Sequence, residues 1–239
     1  REVALLDAAS FPVLFDTSLV DKTDLFTGTF MPSTDLTGGY RVLSYVDPAE
    51  ANHAPLKSLL FHLLTHRRQH VIPTFREVYD GLFGRMENDL ARVGKADFGN
   101  YNDEAAFGFL CQALLGRDPV DSPLRDEGPK LIAKWLLFQI SPLLSLGLPT
   151  LVEDGLLHSF RLPPALIKKD YGRLADFFRD AGKAVIDEGE RLGIAREEAV
   201  HNILFAMCFN SFGGMRILFP LLVKWPGRAH PAASRWRCT

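Results

Sequence analysis

Ile203-Leu204-Phe205-Ala206-Met207-Cys208-Phe209-Asn210-Ser211-Phe212-Gly213-Gly214-Met215-Arg216-Ile217-Leu218-Phe219-Pro220 is apolar on nearly every face. That pattern reads as a helix buried in a core rather than an amphipathic surface helix. The run to Val223 has the ~20 residues that a membrane span needs. Asn210, Ser211, Arg216 and Pro220 fall inside it, however, and they argue against lipid. An amide in a dry helix must find hydrogen-bond partners or cost ~1–3 kcal/mol. Asn210 is therefore either a core amide bonded to the preceding turn or a ligand contact from the middle of a long helix. Gly213 and Gly214 carry no side chain and would let something large and flat approach the backbone.

Outward from this stretch, the rest of the chain reads as mostly α. Ala195-Arg196-Glu197-Glu198 starts the central helix, with acidic residues in the first turn. Helices are also predicted over Glu2–Ala9, Asn52–Gln69, Thr74–Val93, Glu104–Leu115, Pro129–Ile140 and from Pro163-Pro164 to Gly193. Phe11–Val20 reads as irregular or strand-like, and Tyr40–Tyr45 as the best strand. Asp47-Pro48-Ala49-Glu50 has an N-cap acceptor, Pro at N1 and Glu at N3. Asp21 to Ser33 is a loop by its Gly, Pro, Thr and Ser content. It carries Leu25, Phe26, Phe30 and Met31, so it either tucks over a core or forms a lid lining an apolar pocket.

The 239 residues are 47% hydrophobic and 23% charged, ordinary for a globular protein, and suffice for one or two domains. A net charge of −2 gives no electrostatic case for binding nucleic acid. Cys111, Cys208 and Cys238 are scattered and make neither a disulfide framework nor a zinc site. His62, His66 and His70 step by four along one helix, and the outer two stand ~12 Å apart, too far to share an ion; no metal site is expected. His53 and Lys57 share a face near a helix N-terminus. They are two solvated side chains or a seat for an anion.

Phe26-Thr27-Gly28-Thr29-Phe30-Met31-Pro32-Ser33-Thr34, Leu36-Thr37-Gly38-Gly39-Tyr40-Arg41, Leu56-Lys57-Ser58-Leu59-Leu60-Phe61 and the central helix from Cys208 to Pro220 resemble the plant allene oxide synthases of the cytochrome P-450 superfamily. The resemblance runs from Glu2 to about Lys224 and implies an incomplete cytochrome P-450-like fold, the N-terminal half through the long central helix. Residues 225–239 then form a divergent tail, expected to be a truncated, alternatively spliced or frameshifted end.

The implied activity is hydroperoxide dehydratase. In it, heme b cleaves the O–O bond of a fatty-acid hydroperoxide homolytically, the alkoxyl radical closes to an epoxide, and loss of an electron and a proton gives an allene oxide on the way to jasmonate precursors. The resemblance makes Asn210 the hydrogen-bond partner of the peroxide and puts the π-face of Phe26 beside the carbon radical. It makes Lys22, His53 and Lys57 the ligands of the heme propionates, which favours the anion-seat reading of the last two. The superfamily's acid–alcohol pair is replaced here by Asn210-Ser211, consistent with a ready-made peroxide and no reductase. Plastid localisation and peripheral contact with a plastid membrane are implied by family only. The family's axial cysteine lies in a loop that this sequence lacks, so the chain as it stands is expected to be inactive. The alternatives are a hydroperoxide lyase or divinyl ether synthase on the same scaffold, against which Phe26 argues, and a non-catalytic fragment.

Overall fold

The computed structural model describes residues 7–16, 34–141, 145–155 and 162–229. Among the described residues there are helices and turns and no strand. Helix α1 is Phe11–Phe15, with Pro in its first turn. The strand-like reading of this stretch is thus corrected, because proline pre-sets the helical φ there. The predicted strand Tyr40–Tyr45 is also corrected: Leu43–Tyr45 is a single 3-10 turn. Its aromatic and branched residues suit a sheet, but the Leu43 N–H that would join a ladder donates instead to Asn202 Oδ1 at 2.8 Å. At 47–50, Glu50 folds back and accepts from Asp47 N–H at 2.8 Å, half of a capping box that closes a turn.

Helix α2 (His53–Thr65) buries Leu56, Leu59 and Leu63, one stripe at helical spacing. Helix α3 runs from Arg68 to Val93 and contains Pro73. The break expected between Gln69 and Thr74 lies instead at His66–Arg67. Pro73 is exposed, so the carbonyl it leaves unpaired faces water and the helix continues. Helix α4 (Phe98–Leu115) is capped by Asp97, whose side chain accepts from Gly99 N–H, and ends on Gly116 at φ +73°. It is apolar nearly all round because it lies between α3 on one side and later helices on the other.

Helix α5 (Gly128–Ile140) begins against α4: a Cβ at Gly128 would stand 2.2 Å from Phe107 Cε1. After the short α6 (Thr150–Glu153) come α7 (Lys168–Ala181) and α8 (Lys183–Arg191). A single helix was expected here. The break falls at Gly182, where a Cβ would meet the Phe178 carbonyl at 2.6 Å.

The last element is one rod in three parts: α9 (Arg196–Phe205), a π-helical segment (Ala206–Phe212) and α10 (Gly213–Ala229). It starts where the sequence reading placed it and continues past Lys224, so the described part of the tail up to Ala229 is helical. By length and composition, Arg196–Lys224 is apolar enough to cross a membrane. Helix α9, however, packs against α2, α7 and α8. Its residues Ala199–Phe205 are all buried, with His201 and Asn202 bonded to protein. That half is the core of a helical bundle. Met207, Cys208 and Phe212 extend the same core through the π segment.

Candidate functional site

The rod carries Asn210, the candidate contact, within its π segment. Ser211 Oγ donates to the Ala206 carbonyl at 3.0 Å, five residues back, in keeping with the wider turn. Within that turn Phe212 points into the core, edge-on to Phe107 at 6.2 Å between ring centroids. Phe209 stacks on Phe205 at 4.7 Å, and both lie edge-on to Trp135 of α5. Asn210 is turned outward and exposed. Its side chain bonds to no described residue. The dry-helix premise is therefore corrected: apolar neighbours in sequence did not mean burial, and the preceding turn does not take up the amide.

Beyond Asn210, side chains at Gly213 and Gly214 would meet open space, with no atom within 4 Å. Then α10 divides into two faces. Met215, Phe219 and Val223, spaced by four, pack on a second core of Tyr79, Leu82, Met86, Phe98 and Ala105 from α3 and α4. Phe219 sits edge-on to Phe75 and Tyr79 at 5.8 and 4.9 Å. Polar tethers reinforce this contact. Asn102, fully buried, accepts from the Tyr79 hydroxyl at 3.0 Å and donates to the Met215 carbonyl at 3.1 Å. Arg216 pairs with Asp103 at 3.3 Å. Partial burial raises the Asp103 carboxyl above its usual range. On the opposite face Ile217, Leu218, Leu221 and Leu222 are bare, at 66, 60, 59 and 66% exposure.

His53 and Lys57 come together on the first turns of α2, the former half-buried and the latter exposed. The Lys57 ammonium lies 6.0 Å from the Phe61 ring. Beside them Glu50 is held below the usual carboxylate range by the Asp47 N–H and by Arg41. Asn52 donates to Glu198 Oε1 at 3.3 Å, joining the start of α2 to the start of α9. Asn210 is farther along the rod, roughly 18 Å from Glu198 at helical rise. The structure thus sets His53 and Lys57 one turn apart at the start of α2 and keeps Asn210 separate from them, farther along the rod. Lys22 and Phe26 lie outside the described residues.

His62 and His66 stack at 4.9 Å. His66 Nδ1 donates to the His62 carbonyl at 3.0 Å, which commits that nitrogen.

A heme can be tested against these groups. The open glycine backbone and the bare apolar face suit one side of a flat apolar macrocycle, and His53 and Lys57 suit its carboxylates. The described cysteines do not suit the iron. Cys111 and Cys208 are fully buried in the core, and burial pushes both thiols well above their ordinary value, away from thiolate.

Sequence reasoning missed a polar cluster between α5, α7 and α9. The Tyr171 hydroxyl and His201 Nδ1 are 2.7 Å apart. Burial holds the imidazole at about 4, neutral near pH 7, and pushes the phenol up, so Tyr171 is the donor. The available signal was His201-Asn202 inside the otherwise apolar run from Ala199 to Phe205.

No family model matches the chain. Among individual proteins, it is 85% identical over 229 residues to allene oxide synthase 1, chloroplastic, of Oryza sativa subsp. japonica, covering 96% of this chain and 45% of that one. It is 62% identical over 227 residues to allene oxide synthase 1, chloroplastic, of Solanum lycopersicum, covering 95% and 42%. It is 56% identical over 227 residues to the chloroplastic allene oxide synthase of Arabidopsis thaliana, covering 95% and 44%. The chain spans about half the length of the curated relatives it matches. It belongs to the allene oxide synthase family of the cytochrome P-450 superfamily.

Proposed function

We propose that this chain supplies the peroxide-facing half of a plastid hydroperoxide dehydratase. The observation that supports this most is the outward, unbonded carboxamide of Asn210 beside the open backbone of Gly213 and Gly214, in a chain so similar to the rice protein. Bound heme would supply the one-electron cleavage of the O–O bond. Asn210 would hydrogen-bond the peroxide oxygens without offering an acidic proton, so the peroxide is oriented rather than protonated. Phe26 would lie against the carbon radical, an interaction worth ~0.5–2 kcal/mol by analogy with cation–π contacts. His53, Lys57 and Lys22 would hold the propionates through charge-assisted bonds. The substrate is a fatty-acid hydroperoxide. Chloroplast residence follows the rice, tomato and Arabidopsis relatives, each named as chloroplastic.

The test joins this chain to the remaining sequence of the rice protein, loads heme and follows loss of the conjugated-diene absorbance. Asn210→Leu should lower kcat about 10²–10³-fold, as removal of one preorganised hydrogen-bonding group does elsewhere. Phe26→Leu should divert product towards the aldehydes of a lyase. An Asn210→Leu protein with unchanged kcat would overturn the assignment of Asn210. The isolated chain with added hemin should give no thiolate-type Soret band and leave the diene intact, because its described cysteines are locked in the core.

A further inference from the structure

His62 and His66 stand one turn apart at the end of α2, both half-buried, with their rings 12° from parallel and 4.9 Å between centroids. His66 Nδ1 faces two backbone carbonyls, those of His62 at 3.0 Å and Leu63 at 3.2 Å. A carbonyl only accepts, so this nitrogen carries the proton and the Nε2 of the same ring presents a lone pair. An imidazole N–H given to a backbone carbonyl is a usual outer partner of a metal-ligating histidine, because it fixes tautomer and orientation. The His62 ring makes no hydrogen bond to a described residue, so it is free to turn and to take the matching tautomer. The buried side-chain atoms without a partner among the described residues are Trp135 Nε1 and Gln139 Oε1. The unbonded nitrogens of both imidazoles are therefore accessible to solvent.

The surroundings of the pair suit a cation. The last carbonyls of α2 form the negative end of its dipole. Burial first, and then the His66 ring, lowers the pKa of His62; Arg191 of α8 adds to this and Glu188 of α8 opposes it. A ring that holds its proton less tightly yields its lone pair to a metal more readily. Glu188 and Arg191 pair with each other at 2.5 Å, so α8 brings little net charge to the two rings. His70 is the next step of four in sequence, but the break at His66–Arg67 places it on α3. Among the described residues no group of three or more His, Cys, Asp or Glu is placed to hold a metal. The pair is thus a two-ligand site whose remaining coordination positions take water.

We propose that His62 and His66 chelate one divalent late transition-metal ion through their Nε2 atoms. Imidazole suits Cu²⁺, Ni²⁺ and Zn²⁺, with Cu²⁺ held most tightly, whereas Mg²⁺ and Ca²⁺ seek oxygen. Two nitrogens each about 2.0–2.1 Å from one ion stand about 3 Å apart. The pair reaches that separation by rotation of the His62 ring, while the carbonyls hold the His66 ring in place. Two histidines four apart on one helix face are the same chelating unit that zinc enzymes use, there with a third ligand. The ion clips the last turn of α2 just before the chain breaks into α3, and it stabilises that junction by mass action. Roughly 14 Å of helical rise separates His62 from His53. The site requires neither heme nor Asn210, so it stands or falls apart from the proposed reaction.

The test titrates Zn²⁺ into the full chain without heme, near neutral pH in a non-chelating buffer. Calorimetry reads affinity and stoichiometry, and nitrogen-15 signals of the histidine rings read the ligands. One ion should bind per chain, with the Nε2 signals of His62 and His66 moving together, and Cu²⁺ should displace it. His62→Gln and His66→Gln should each weaken binding about 10²-fold, the usual gain from a second tethered contact. The two losses should not add, because either change alone removes the chelate. His70→Gln should leave affinity within about twofold. Unchanged far-ultraviolet circular dichroism checks each variant; if both ligand variants unfold, the paired movement of the two ring signals in the unaltered chain decides alone. Two independent weak sites, each lost with its own histidine, overturn the proposal. So does equally tight binding of Mg²⁺, which would place the ion on carboxylates. Binding that survives both ligand changes, or no binding at all, overturns it too.

Discussion

The two halves of the terminal rod have similar sequence character and opposite surroundings. Along α9 all residues from Ala199 to Phe205 are enclosed by α2, α7 and α8, including two polar side chains that find partners there. Along α10 the Met215–Phe219–Val223 stripe packs on the body and Arg216 pairs with Asp103, while Ile217, Leu218, Leu221 and Leu222 face outward. Exposed apolar residues scattered singly are ordinary, but four on one helix face form a patch of the kind found at interaction surfaces. Apolarity records a requirement for cover; the described residues meet it for α9 and leave it open for α10.

The sharpest way to break this contrast is to place a carboxylate in each half. Leu204→Asp buries a charge in the first core and should abolish cooperative unfolding, a loss of at least ~4 kcal/mol. Leu221→Asp should stay within about 0.5 kcal/mol and improve solubility. Urea titration followed by circular dichroism reads both. Equal losses would mean that α10 is covered in solution.

Next in size is acid. His201 is held at about 4 in the folded chain and returns to ~6.5 on unfolding. Its contribution is intact above pH 6.5 and is lost as the pH falls from there towards 4, roughly 3 kcal/mol in all. Asp103, raised in the fold, works in the opposite direction. His201→Gln should flatten the slope of stability against pH over that window. An unchanged slope would remove His201 as its source.

Smaller effects belong to the tethers of α10. Asn102→Ala should cost about 1–3 kcal/mol, since it leaves the Tyr79 hydroxyl and the Met215 carbonyl unpaired. Amide exchange should rise in α10 before α9. Uniform exchange along the rod would show that its halves open together. Arg216→Ala, at a half-exposed ion pair, should cost under about 1 kcal/mol, and less in high salt.

The helical class and the start of the rod at Ala195–Glu198 were legible because composition and first-turn charge are local. Helix breaks were less so. Pro73 lies inside α3 on its exposed side without ending it, and the break at Gly182 falls where a Cβ would meet the Phe178 carbonyl, a close approach that only the folded chain displays. Tyr40–Tyr45 has strand-like residues, but a strand needs a neighbour, and Asn202, distant in sequence, took the Leu43 N–H instead. Asn210 was found as a residue and misjudged as dry.

The π segment has a mechanical consequence. Its wide turn takes up one more residue than an α-helical turn, so α10 is rotated relative to α9 by about the angle of one residue, roughly 100°. Deleting a single residue between Ala206 and Phe212 would let the rod relax to uniform α-helix and undo that rotation. Phe219 would swing out of its aromatic nest, and the bare leucines would turn towards α3 and α4. The segment thus acts as a phase shifter: one inserted residue decides which side of the last helix meets α3 and α4 and which side is left bare.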